Sequence, residues 1–157
     1  MTECLFCKLK SVKEGIIFED KYFYSILDVN PVSPGYALVI AKRHVADFLD
    51  LNPEEWIAMK MALEGTMKSI DTTDLKKAYQ KMIDKGYGER SKKLCQSMLE
   101  DKNMGKHPDA YNIGVNDGAA AGRTIHHLHI HIIPRYGSDS QEPEGGIRKV
   151  LSHKDII

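Results

Sequence analysis

His127-Leu128-His129-Ile130-His131-Ile132-Ile133 sets three histidines at alternate positions, with aliphatic residues between and after them. Side chains alternate faces along a β-strand, and residues two apart lie about 7 Å from each other on one side. The spacing predicts one row of imidazoles, with Leu128, Ile130 and Ile132 turned to the core. Just upstream, Asn116-Asp117-Gly118 and Gly122-Arg123-Thr124 form a polar, glycine-bearing approach that can bring backbone amides close to a ligand. Imidazoles beside such a turn suit an anion.

Outward from this row, the last strand is expected over Ile125 to Ile133, with Pro134 ending it because proline has no amide to donate. Tyr111 to Val115 reads as the strand before it. Gly15 to Asp20 and Tyr22 to Asp28 read as a hairpin turning at Asp20-Lys21. After the proline-punctuated loop Val29 to Gly35, Tyr36 to Ile40 is a buried strand running into Lys42-Arg43-His44. Asn52-Pro53-Glu54-Glu55 starts a helix, with Asn52 able to cap, Pro53 in the first turn and acids against the positive helix end. That helix is expected to reach Ile70. Between 69 and 106, Leu75, Tyr79, Met82, Leu94 and Met98 recur at helical spacing around Gly86-Tyr87-Gly88 and predict a helical hairpin. Its lysines read as a solvated face and its apolar residues as core. Residues 137–157 read as a polar tail, with Gly145-Gly146-Ile147-Arg148 its one pointed feature.

The chain has 157 residues, 42% hydrophobic and 28% charged, which fits a single soluble domain over 1–157. Lys plus Arg equals Asp plus Glu at 22 each, so no global field draws nucleic acid or an anionic membrane, and phosphate recognition must be local. The N-terminus lacks a basic leader, and no apolar run approaches the roughly 20 residues that span a bilayer, so a cytoplasmic location is expected. Cys4, Cys7 and Cys95 are too few, and odd in number, for a disulfide framework. Cys4-x2-Cys7 is half of a structural zinc site, with His44 and the histidine row as the available donors. The alternative is a pair of reduced, semi-buried thiols. Thioredoxin-like chemistry is disfavoured on the expectation that no helix opens at the pair.

The row His127-Leu128-His129-Ile130-His131-Ile132-Ile133 resembles the signature of the histidine triad (HIT) superfamily of nucleotide hydrolases and transferases. Cys4-Leu5-Phe6-Cys7-Lys8, Phe18-Glu19-Asp20, Leu27 to Gly35, Leu38-Val39-Ile40, Lys42-Arg43-His44 and Ile133-Pro134-Arg135-Tyr136 follow the family's order. The resemblance covers most of the chain outside 69–106. It implies an α+β fold with a five-stranded antiparallel sheet backed by helices on one face, and a homodimer joining two sheets edge to edge. The five strands read from the sequence agree. The 69–106 hairpin is longer than the family's usual connection, and a lid, a partner surface or added bulk are all open to it.

What the resemblance implies for the site is specific. His129 would attack the α-phosphorus of a purine nucleotide and form a nucleotidyl-histidine that water hydrolyses. Neutral imidazole is a competent nucleophile near pH 7, and its N–P bond is labile. His131 would donate to a phosphate oxygen. Thr124, Asn116, Gly122 and Arg123 would hold phosphate and leaving group, and Asp28 would accept from ribose hydroxyls. Ile17, Phe18 and Val29 fall where the family packs its base, and each also reads as ordinary core. His127 is an active-site support in some members and a zinc ligand with Cys4, Cys7 and His44 in others. The chain departs from the family at Arg123, where glutamine is usual, and at His126.

The expected activity is hydrolysis at the α-phosphate of nucleoside phosphoramidates or dinucleoside polyphosphates, with Arg148 a partner for a distal phosphate. The alternative is a zinc-stabilised nucleotide-binding protein that acts through interaction. A metal hydrolase ligated by the three histidines suits the Thr124 and Asn116 setting less well. Nucleotidyl transfer to a sugar phosphate is disfavoured, because those enzymes have glutamine where His131 stands.

Overall fold

The computed structural model describes residues 4–137, 139–141, 143 and 146. Five strands, β1 (Ile16–Glu19), β2 (Phe23–Leu27), β3 (Ala37–Ala41), β4 (Ala110–Gly114) and β5 (His129–Arg135), form one antiparallel sheet in the order β1-β2-β3-β5-β4. Four helices accompany it: α1 (Leu5–Val12), α2 (Pro53–Thr72), α3 (Leu75–Lys85) and α4 (Glu89–Leu99). The chain is therefore α+β, with the expected helical hairpin formed by α3 and α4. Most of the 137–157 tail, including Gly145, Ile147 and Arg148, lies outside the described residues.

β2 and β3 are buried on both faces because each face has its own cover. Phe23, Leu27, Val39, Leu128, Ile130 and Ile132 pack with Ala62, Ile70, Leu75, Tyr79, Cys95 and Met98 of the three long helices. On the other face, Phe6 of α1 joins Tyr24, Tyr36, Leu38 and Ile40. Three helices thus back one face, while the short α1 lays Phe6 and Leu9, one turn apart, over the face that carries the histidines. Gly65 in α2 is where Phe18 presses in: a Cβ there would lie 2.2 Å from the ring.

Local chemistry accounts for the boundaries. The Asp20 carboxylate accepts from the amides of Tyr22 and Phe23, both at 2.7 Å, and closes the β1–β2 turn. Asn52 and Glu55 exchange side-chain and backbone hydrogen bonds at 2.9 Å each, forming a reciprocal cap on α2. Two expectations need correction. The last strand begins at His129, not Ile125, and runs through Pro134 to Arg135. Pairing with β3 stops at Ala37 and Ile132, so at Pro134 no β3 neighbour requires the missing amide. Upstream, His127 N–H turns back to the Ile125 carbonyl at 2.9 Å, a three-residue turn that delays the strand. The second correction is that Cys4 occupies the N-cap position of α1, so the cysteine pair does open a helix, whose Phe6 is buried.

Candidate active site and metal centre

Register places the histidines. His129 pairs with Ile40 and His131 with Leu38 on β3, and His131 also faces Gly114 on β4. His129 is 7% exposed, and its Nδ1 lies 2.8 Å from the His127 carbonyl. A carbonyl only accepts, so Nδ1 carries the proton and Nε2 keeps its lone pair. The His131 ring stands 5.0 Å away, centre to centre. Its Nδ1 is 2.7 Å from the Tyr36 hydroxyl, and its Nε2 is buried with no partner among the described residues.

Burial, reinforced by nearby His129, lowers the His131 pKa, while the Asp28 carboxylate pulls it upward. Burial, with Asp28 adding to it, raises the Tyr36 phenol, so this hydroxyl stays protonated at neutral pH. A protonated phenol donating to Nδ1 leaves the His131 proton on Nε2. In that tautomer the pair presents a lone pair from His129 and an N–H from His131, side by side.

His127 is 1% exposed and faces two ways. Its Nε2 lies 2.6 Å from the Ala41 carbonyl, which fixes the proton there and leaves Nδ1 as a ligand atom. Nδ1 is 3.3 Å from Cys4 Sγ and 3.7 Å from Cys7 Sγ, and His44 Nδ1 is 3.4 Å from Cys7 Sγ. The ligand atoms of all four residues lie within 4.8 Å of one another. Such separations suit two thiolates and two imidazoles sharing a tetrahedral ion with bonds of about 2.0–2.3 Å. Burial lowers the His127 pKa, which keeps the ring in the neutral form that binds metal.

The remaining expected residues divide by position. Asn116 lines a cavity of about 450 Å³ with His131, Tyr36, Asn112 and Arg135. Thr124 is exposed at the end of the same loop. Gly122 adopts φ +90°, a left-handed turn with Asn116 Nδ2 3.8 Å from where a Cβ would lie. The Arg123 guanidinium reaches the Ala46 carbonyl at 2.8 Å and Asp47 at 2.6 Å, and its amide donates to the Gly118 carbonyl. Its side chain thus ties the loop to the segment after β3. Asp28 holds the Asn30 amide at 2.7 Å at the end of β2. Ile17 and Phe18 pack against the helix-covered core, and the Val29 carbonyl accepts from Ser91 of α4. His126 is exposed.

Sequence reasoning missed two neighbours of the row. The sequence marks Tyr36 only as a strand residue and Phe6 only as part of the cysteine motif. Phe6 packs edge-on against His127 and His129 at 5.7 and 5.2 Å. Both contacts arise across strands or from α1, over sequence separations that no local pattern spans.

With fold and site in hand, the chain belongs to the HIT family: the family model described as HIT domain matches residues 10–138. It is 29% identical to an uncharacterised HIT-like protein of Methanocaldococcus jannaschii over 98% of this chain and 95% of that one. It is 31% identical to an adenylylsulfatase of Arabidopsis thaliana over 87% of this chain, and 27% identical to an adenosine 5′-monophosphoramidase of Saccharomyces cerevisiae over 84%. The matches span 54% and 62% of those longer proteins. Among solved structures, a zinc-bound histidine triad family protein of Mycobacterium smegmatis aligns with TM-score 0.56 at 30% identity, covering 89% of this chain and 80% of that one. A HIT family protein of Bacillus anthracis aligns at 0.60 and 23% identity, over 96% and 94%, and shares the fold.

Proposed function

We infer that this protein is a nucleotide hydrolase that cleaves at the α-phosphate of nucleoside phosphoramidates or dinucleoside polyphosphates through a nucleotidyl-histidine. The observation that carries this is the His129 proton held on Nδ1 by the His127 carbonyl, which leaves Nε2 a free nucleophile beside the unpartnered Nε2 of His131. His129 Nε2 bonds to the α-phosphorus as the bond to the leaving group breaks. His131 Nε2–H donates to a non-bridging oxygen where charge develops. Water then attacks phosphorus, releasing the nucleoside monophosphate and restoring the imidazole. The phosphoramidase and adenylylsulfatase relatives support chemistry at an adenylyl phosphorus.

Zinc held by Cys4, Cys7, His44 and His127 fills four ligand positions with protein, so its role in this reading is to anchor α1 to the strand that carries His129. The zinc-bound relative supports the choice of metal. A homodimer is supported by the open edge of β4 and by exposed apolar side chains: Leu49, Ile57 and Met61 are 80%, 77% and 61% exposed, and Ile113 on β4 is 41%.

The test is intact-protein mass spectrometry after brief acid quench with adenosine 5′-phosphoramidate, with AMP assayed in the same samples. An adenylyl adduct and AMP in wild type, and neither in His129→Ala, are expected. AMP binding without adduct or hydrolysis would transfer the assignment to a nucleotide-binding interaction protein.

A further inference from the structure

A slot of about 160 Å³ opens where the helical hairpin meets the end of the histidine face. Leu9, Ile16 and Leu27 line it together with Met82, Lys85 and Tyr87 of the hairpin. Pockets for whole ligands run to roughly 300–1,000 Å³, so this one admits a single planar ring system. Its position follows from strand register. Ile16 pairs with Ile26, Ile26 with Leu38, and Leu38 with His131, so the slot ends a row that starts at the histidines. Three strand spacings give about 14 Å, the scale of a nucleoside monophosphate laid across the strands. Asp28 follows Leu27 directly and its amide donates to the carbonyl of Tyr36, the residue whose hydroxyl meets His131, which puts a polar acceptor beside the row.

The far rim offers what a base needs. Tyr87 is 48% exposed, with the Lys85 ammonium 5.9 Å from its ring centre. The Glu14 carboxylate pairs with Lys85 and, at 3.6 Å, with Lys81. An aromatic face stands beside an acceptor and donors, while the walls below are apolar.

We propose that the α3–α4 hairpin completes the nucleotide site: a purine base enters this slot, stacks on Tyr87 and presents its polar edge to Glu14 and Lys85. The proposal rests on the nucleotide hydrolase reading and extends the site to residues of the 69–106 segment. It makes the hairpin a determinant of substrate affinity, with the reacting atoms left to the histidines.

Steady-state kinetics test it, with adenosine 5′-phosphoramidate and the base-free ribose 5-phosphoramidate as substrates. Tyr87→Ala and Lys85→Met are compared with wild type and with Lys93→Ala, an exposed change on α4 outside the slot. For the adenosine substrate, KM rises about tenfold in both slot variants, the loss of one stacking or one polar contact. In the same variants kcat stays within about twofold, because binding and not the chemical step is touched. The base-free substrate and Lys93→Ala register no change. Unchanged KM in slot variants that melt as wild type does would overturn the proposal while leaving the hydrolase reading in place. If wild type releases no AMP from the substrate, titration with AMP separates the two ideas. Weaker AMP binding by Tyr87→Ala supports the slot although hydrolysis fails, whereas equal binding, or no binding by wild type, rejects it.

Discussion

His127 serves two neighbours with different atoms: its ring faces the thiols, and its carbonyl holds the His129 proton. Supporting the row and facing a metal are geometrically compatible at His127, because backbone and side chain divide them. At this scale Tyr36 is the next residue to test. Tyr36→Phe removes the hydroxyl at His131 Nδ1 and frees the ring to take the other tautomer. A fall in kcat of about tenfold with little change in KM is expected, read from full saturation curves. Burial also makes His131 a pH sensor for stability. Its folded pKa lies below the unfolded value of about 6.5, so its contribution is complete above that pH and is lost as pH falls toward the folded value. The melting temperature should therefore decline on acidification below about pH 6.5, and His131→Asn should make that part of the profile shallower, with buried His127 supplying remaining slope. A profile as steep in the variant as in wild type would reject the assignment.

The elements show where local signals sufficed. Proline at the first turn, Asn52 as cap and Glu55 three residues on made α2 legible, and the structure finds the reciprocal cap with Arg43 bracing Glu55 at 2.8 Å. Asn52→Ala should cost about 1 kcal/mol in urea unfolding, with activity unchanged. The helical hairpin was legible from the spacing of its apolar residues, but its docking was not. Tyr79 of α3 accepts the Gly35 amide at 2.8 Å, and Gly35 itself adopts φ +83° with Ile70 2.6 Å from where a Cβ would lie. Tyr79→Phe leaves that amide unpaired and buried, a loss of about 1–3 kcal/mol, measured by the same unfolding. The limits of β5 were misread because pairing partners, not the run of residues, decide where a strand begins and where proline is tolerated.

For the whole molecule, the four candidate metal ligands close a loop of contacts from α1 through the segment after β3 to the turn before β5. Removing zinc with a chelator should lower the melting temperature, and Cys4→Ser should bind less zinc by elemental analysis. An unchanged melting temperature on chelation would count against a structural ion. At the same scale, sedimentation should report a dimer that Ile57→Lys weakens, given that side chain's 77% exposure. No described helix is long and apolar enough to cross a membrane. By itself, the sequence determined the five strands, α2 and the helical hairpin, the histidine row and the Cys4-x2-Cys7 pair, because periodicity and motif spacing are local properties of the chain, while α1 was not legible in it. Only the tertiary structure decided that Tyr36 and Phe6 touch the row, that Arg123 braces its own loop, and that the hairpin meets the end of the histidine face. Those contacts depend on register and packing between residues far apart in the chain, where no local spacing carries the information.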